Sequence, residues 1–322
     1  MFRFRSWASI SGMRTFDPAE TDRLLPYSQL ADAIADVLRA KKAGLAWAPR
    51  RLHMTLPAGG VLLAMPASDA ELAITKLATV HPDNPDEGLP TIQGEVVVMD
   101  AQTGERLGIL DGPALTARRT AAISLLAARV LAPRLADPQA GPGPLLMVGA
   151  GVQAWGHLEA FQQGLGVREV YLCSRSGVSA GILADRAREL GMTATVIGRP
   201  EEVLSEVSLI VTVTTSKEPV LPEDILEKAR GDLFVSGVGS FRPDMAELPA
   251  SLVRRARLYA DVADQAMHES GDLIDRVTPD MVTPLEDALD QPRPETGPVV
   301  FKCVGHALFD LAAAELATGY IY

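Results

Sequence analysis

Residues 144–157, Pro-Leu-Leu-Met-Val-Gly-Ala-Gly-Val-Gln-Ala-Trp-Gly-His, constrain the fold more than any other stretch. An uninterrupted apolar run reads as a buried strand. Gly149-x-Gly151-x-x-Ala154 then reads as a tight turn, and Leu158, Phe161 and Leu165 recur at helical spacing after it. Glycines at such a turn allow backbone N–H groups to approach a pyrophosphate, and the partial positive charge at the helix N-terminus favours the same anion. Val152 and Gln153 open that helix and join Gly149, Gly151 and Ala154 as candidate cofactor residues.

The rest of the chain supports a doubly wound α/β reading. After the Pro- and Gly-rich stretch 134–144, strand patterns at 145–148, 169–173, 193–197, 209–214, 233–238 and 257–260 alternate with helical ones, as a parallel sheet requires. Before it, a helix begins near Pro26 and stops at Gly44, and strands are expected at 51–56, 60–65, 72–79 and 94–100. A long Ala- and Leu-rich helix ends at Pro133. The apolar tail from Val299 reads as a helix returning to the first half. The expected organisation is a disordered, basic extension over 1–16, a discontinuous α+β domain over 17–132 plus 299–322, and a Rossmann-type domain over 133–298.

Cofactor choice turns on the end of the next strand, roughly 20 residues past the turn, where an acid would bond the ribose hydroxyls. That segment reads Ser174-Arg175-Ser176 and holds no acid. An arginine flanked by hydroxyls suits a ribose phosphate, so NADPH is expected, with NADH as the alternative. Thr214, at the end of a later strand, completes the cofactor set on the second half.

The 322 residues carry a formal net charge of −11, which argues against nucleic acid as a partner. No apolar run reaches the ~20 residues of a membrane span. Two distant cysteines and five histidines without metal-ligand spacing point to no metal and to a reducing, cytoplasmic setting. An anionic substrate in so acidic a protein needs a local cluster of cations.

"DGPALTARRTAAIS", "LLMVGAGVQAWGHLEAF", "GVGSFRPDMAEL" and "MHESGD" occur in the order of the hallmark segments of the ornithine cyclodeaminase/mu-crystallin family, which the chain resembles from about residue 17 to its end. The resemblance implies a substrate and dimerisation domain beside the Rossmann domain, and a homodimer. It also implies a substrate carboxylate held by Arg51 (with Arg50 as a neighbour to be distinguished), Lys76 and Arg119, with Thr116 near the cofactor. Cyclodeaminases of the family place an aspartate after the fifth Rossmann strand, where this chain has Ser240. A serine supplies neither charge nor basicity for an amine, whereas reducing a preformed cyclic imine needs no base there. The expected activity is therefore NADPH-dependent reduction of cyclic 2-carboxylate ketimines to L-proline or L-pipecolate. An NAD-dependent ornithine cyclodeaminase and a non-catalytic small-ligand binder are the alternatives. His157 is expected either at the cofactor or packed in the interior.

Overall fold

The computed structural model describes residues 14–137 and 139–321. The first part of the chain contains β1 (Arg14–Thr15), α1 (Pro18–Leu24), α2 (Tyr27–Lys42), β2 (Leu52–Thr55), β3 (Val61–Ser68), β4 (Leu72–Val80), β5 (Ile92–Asp100), β6 (Arg106–Asp111) and α3 (Gly112–Leu131). Its strands form one sheet in the order β1-β6-β5-β4-β3-β2, antiparallel apart from the parallel β1–β6 pair. Alternation along β4 buries Leu72, Ile74, Lys76 and Ala78 on one face. Against that face pack α3 and the C-terminal helix Ala307–Ile321, and α2 packs on both of these helices, burying Leu30, Ile34, Val37 and Leu38. Burying each such aliphatic side chain contributes roughly 1.5–3 kcal/mol.

The second part comprises β7 (Leu145–Val148), α4 (Val152–Leu165), β8 (Glu169–Cys173), α5 (Gly177–Glu189), β9 (Thr193–Val196), β10 (Leu209–Thr212), α6 (Ile225–Lys228), β11 (Phe234–Gly237), α7 (Ala250–Arg255), β12 (Arg257–Ala260), α8 (Ala263–Glu269), β13 (Val282–Pro284), α9 (Leu285–Ala288), β14 (Val299–Lys302) and α10 (Ala307–Ile321). Here all strands are parallel, in the order β13-β12-β14-β11-β10-β7-β8-β9. The doubly wound α/β architecture expected from the sequence is present. Strand order reverses between β7 and β10, which opens the crevice where such sheets bind ligands.

Helix α3 joins the two parts. Asp111 caps it by accepting from the Ala114 N–H at 2.8 Å, and Pro113 sits in its first turn. It contacts β5 on one side and α4 and β11 on the other. Its interior is accordingly apolar nearly all round, as a helix between two sheets must be.

Three expectations need correction. Residues 1–13 of the expected extension lie outside the described residues, but Arg14 and Thr15 pair with Gly108 and Ile109, and Phe16 is buried. The ordered chain thus starts before residue 17. Val299–Lys302 is a strand inserted between β11 and β12, so the second sheet extends past 298 and the return to the first part begins with α10. Its Val-Val-Phe run is buried on both faces, which periodicity alone does not separate from a buried helix. Short β6 was also not foreseen, because residues 106–111 stand between a turn and a helix cap.

Candidate active site

Lys76 projects from β4 in register with Met65 and Val96, both fully packed. Its Nζ approaches Asp310 Oδ2 to 2.8 Å and donates to Oδ1 at 3.0 Å, with the Thr116 hydroxyl at 3.4 Å. Arg119, one turn along α3 from Thr116, donates through Nε to the same Asp310 Oδ1 at 3.2 Å. Neither terminal nitrogen of its guanidinium has a hydrogen-bond partner among the described residues. Gly305, at φ +79°, leaves room for that fork; a β-carbon there would stand 2.6 Å from Nη1.

The neighbouring arginines separate. Arg50 turns outward to an exposed pair with Asp264 at 2.8 Å. Arg51 turns inward and donates to Glu269 Oε2 at 2.7 Å and to the carbonyls of Gly305 at 2.8 Å and Val304 at 3.2 Å. Its Nε is buried without a partner. The structure therefore brings Arg51, Lys76 and Arg119 together around the segment entering α10, and leaves Arg50 outside.

Sequence reasoning missed Asp310 and gave Glu269 no chemistry. Asp310 was detectable as the one acid in the otherwise apolar run Ala307–Ala314. Asp261 is also inside, but its carboxylate is taken up by the N–H groups of Val262, Val304 and Gly305. Those bonds leave Asp261 its charge, so three cations stand among three carboxylates, Asp310, Glu269 and Asp261, and the cluster offers an anionic ligand the unpaired fork of Arg119 rather than a surplus of charge. Burial pulls Lys76 down to about 8, opposed by Asp310 and reinforced by Arg119. Burial likewise lowers Arg51, opposed by Glu269. His306 accepts from the Leu308 N–H at 3.3 Å and is pushed down to about 4 by burial, so it is neutral near pH 7.

Ser240 is fully buried; its hydroxyl donates to the Met245 carbonyl at 2.7 Å and lies 3.1 Å from Ser270 Oγ. It braces a loop rather than presenting a free hydroxyl. Asp272 of the same neighbourhood accepts from the N–H groups of Glu247 and Leu248 and from Lys302 Nζ. His157 is buried among Gln153, Ser124 and Phe161. The interior alternative therefore describes it.

The glycine turn has the form a dinucleotide needs. Gly149, at φ +119°, lies where a β-carbon would stand 2.7 Å from the Val213 carbonyl, across the β7–β10 crevice. Beside Gly151 a β-carbon would meet nothing within 4 Å, so the protein itself does not fill the space that residue keeps open. Helix α4 begins at Gly151 without a side-chain cap, which leaves its first N–H groups available. Ala154 is fully buried, Val152 is exposed, and Gln153 Oε1 is buried without a partner. Ser174, Arg175 and Ser176 follow β8, and Ser176 caps α5 by accepting from the Ser179 N–H at 3.2 Å. No acid stands in the first turn of α5. Thr214 is committed to Glu247, which accepts from its N–H at 2.6 Å and its hydroxyl at 2.8 Å.

The ornithine cyclodeaminase/mu-crystallin family model matches residues 15–319. The chain belongs to this family. It is 38% identical over 311 residues to Delta(1)-pyrroline-2-carboxylate reductase 1 of Burkholderia multivorans, covering 96% of each chain. It is also 38% identical over 315 residues to the Delta(1)-pyrroline-2-carboxylate/Delta(1)-piperideine-2-carboxylate reductase of Azospirillum brasilense, again covering 96% of each. The Delta(1)-pyrroline-2-carboxylate reductase of Thermococcus litoralis, solved with NADH and L-proline, shares the fold at a TM-score of 0.87 and 23% identity, over 95% of this chain and 97% of that one. The reductases among these family members put the chain with the oxidoreductases.

A cleft of about 950 Å³ lies elsewhere, between the outer side of the first sheet and α4, where Leu77, Thr79, Arg118 and Trp155 line it. None of the buried cations lines it. Among the described residues, no group of three or more His, Cys, Asp or Glu side chains could hold a metal ion. No described helix is long and apolar enough to cross a membrane.

Proposed function

We propose that the protein reduces cyclic ketimines bearing a 2-carboxylate, Δ1-pyrroline-2-carboxylate and Δ1-piperideine-2-carboxylate, to L-proline and L-pipecolate, with NADPH as the reductant. The observation that carries this reading is the open fork of Arg119 beside Lys76 and Arg51. It is a buried cluster of three cations, in a chain whose relatives at 38% identity are named for these substrates.

A planar guanidinium with both terminal nitrogens free binds a carboxylate through two parallel N–H···O bonds. Arg51, near enough to feel the charge of Arg119, adds to the positive field. Lys76 would keep a proton near the ring nitrogen as the C=N bond is reduced. When bound, the nicotinamide supplies the hydride that the imine carbon accepts. Gly149, Gly151, Val152, Gln153 and Ala154 would hold the pyrophosphate. Ser174 and Arg175 would meet the ribose phosphate; Arg175 has no ion-pair partner among the described residues. Thr116, whose hydroxyl lies 3.4 Å from Lys76 Nζ, would face the cofactor from α3. Ser240 and Thr214 act through the loops they brace.

The outer side of the first sheet carries Leu52, Met54 and Leu77, all half exposed, at positions that share one face by register. We read this face as the surface of a homodimer, which sedimentation would test. The free thiols of Cys173 and Cys303 suit a cytoplasmic setting. The deciding experiment offers purified protein NADPH with each ketimine, and separately L-ornithine with NAD. Consumption of NADPH with formation of the cyclic amino acid supports the reductase. Ammonia from ornithine without ketimine reduction favours a cyclodeaminase, and binding without turnover favours a carrier.

A further inference from the structure

Asp310 is wholly buried in the first turn of α10, an element that belongs to neither strand–helix run contributing the cations. It meets Lys76 from β4 through both oxygens and Arg119 from α3 through one. We propose that Asp310 is a positioning residue of the reductase, fixing Lys76 and Arg119 in a single geometry and holding Lys76 in its ammonium form.

Three features argue for this. Asp310 engages Arg119 through Nε alone, so the two terminal nitrogens are turned away from it and remain free. A carboxylate pairing with those terminal nitrogens would occupy the fork; one pairing at Nε orients it. Secondly, Lys76 has no bulk water to stabilise its charge, and the other charged groups that reach it, Arg119 and Arg51, are cations that disfavour a second positive charge. Asp310 is the counter-ion that opposes them. Thirdly, the carboxylate lies at the N-terminal end of α10, whose partial positive charge attracts an acidic side chain. Other ionisable groups stand around the cluster, among them the buried thiol of Cys303, which burial pushes well up and keeps neutral. Glu269 on α8 pairs with Arg51, Asp261 after β12 accepts backbone N–H groups, and His306 caps the start of α10.

This inference rests on the reductase reading for one of its two readouts. The first is the pH profile of kcat/KM for Δ1-pyrroline-2-carboxylate with saturating NADPH, compared among unmodified enzyme, Asp310→Asn and Asp310→Glu. Asparagine keeps the size and an acceptor but loses the charge. It should move the alkaline limb down by about 1–3 pH units, the size of effect an adjacent opposite charge exerts. Asp310→Glu restores the charge on a longer arm and should return the limb towards its original position, at a reduced rate. A limb that stays in place in Asp310→Asn, with only the rate scaled down, would overturn the proposal and leave Asp310 a packing residue. The second readout needs no substrate and no variant at Asp310. The 13Cε resonance of Lys76 in the unmodified protein, assigned through Lys76→Arg, should report an ammonium at pH 7. A neutral amine there would also overturn it. If the unmodified enzyme reduces no ketimine, the functional reading fails while the Lys76 resonance still decides what Asp310 does.

Discussion

Arg119 lies against the bare α-carbon of Gly305, with Nη1 2.6 Å and Cζ 3.2 Å from where a β-carbon would stand. The glycine also holds φ +79°, a conformation that costs an L-residue roughly 1–2 kcal/mol. Gly305→Ala should therefore strain the turn and displace the guanidinium together. Because a misplacement of about 1 Å in a positioning group can cost 10²-fold in rate, KM for the ketimine should rise by about tenfold or more. Steady-state kinetics alongside thermal unfolding would check this. Unchanged KM in a folded variant would remove Arg119 from the carboxylate site.

Replacing Arg119 with lysine keeps the charge and loses the planar fork. Efficiency should fall roughly 10²-fold, equivalent to ~2.7 kcal/mol of transition-state stabilisation. The loss should appear mainly with substrates that carry the carboxylate. Near-normal kcat/KM in Arg119→Lys would mean that the fork contributes no directional binding.

The legibility of this chain divides along physical lines. The glycine turn and the strands at 145–148, 169–173 and 257–260 could be read from sequence because local sterics and short apolar runs dictate them. Lys76, Arg119 and Arg51 could be named through motif resemblance. Their mutual arrangement could not, since it depends on α10 carrying Asp310 back across the chain to β4. Strand β14 was misread for a related reason. A fully buried strand has no alternation, and only its place between β11 and β12 reveals it. The choice of Arg51 over Arg50 was equally invisible, because adjacent residues at the start of an edge strand differ only in which way they turn.

Arg175 follows β8 with no acid beside it in the first turn of α5. A contact between its guanidinium and a ribose phosphate would be charge-assisted, and NADH lacks that phosphate. Arg175→Ala should raise KM for NADPH by tenfold or more while changing that for NADH by less than about twofold, since a hydrogen bond to a charged group contributes about 1.5–3 kcal/mol. Parallel titrations with the two cofactors measure this directly. Equal losses would assign Arg175 to the surface.

Ser240 donates to the Met245 carbonyl inside a buried loop. Ser240→Ala should cost about 1 kcal/mol of stability, the usual net value of one such bond, and leave most reductase activity in place. The unmodified protein given L-ornithine and NAD should release no ammonia, because the buried hydroxyl offers an amine neither charge nor basicity. Loss of ketimine reduction in Ser240→Ala with the melting temperature unchanged would instead give this hydroxyl a role at the substrate.

His157 sets how the fold responds to acid. Its Nδ1–H donates to the Gln153 carbonyl at 2.7 Å, and Nε2 accepts from Ser124 Oγ at 2.9 Å, which in turn accepts from Ser236 Oγ at 3.0 Å. The chain of bonds fits the neutral ring and links α4, α3 and β11. Burial pushes His157 from 6.5 down to about 4, and His306 shifts the same way. Between those values the unfolded chain binds more protons than the folded one. The stability each ring contributes is therefore complete above pH 6.5 and is lost as pH falls through about 4. The loss is on the order of 3 kcal/mol for the fully buried His157 ring. Thermal unfolding across this window should show the melting temperature falling with acid, and His157→Gln, which cannot titrate, should show a shallower fall from a lower starting point. Identical pH slopes for the two proteins would mean that His157 is already protonated in the native state and that the neutral hydrogen-bond chain does not exist.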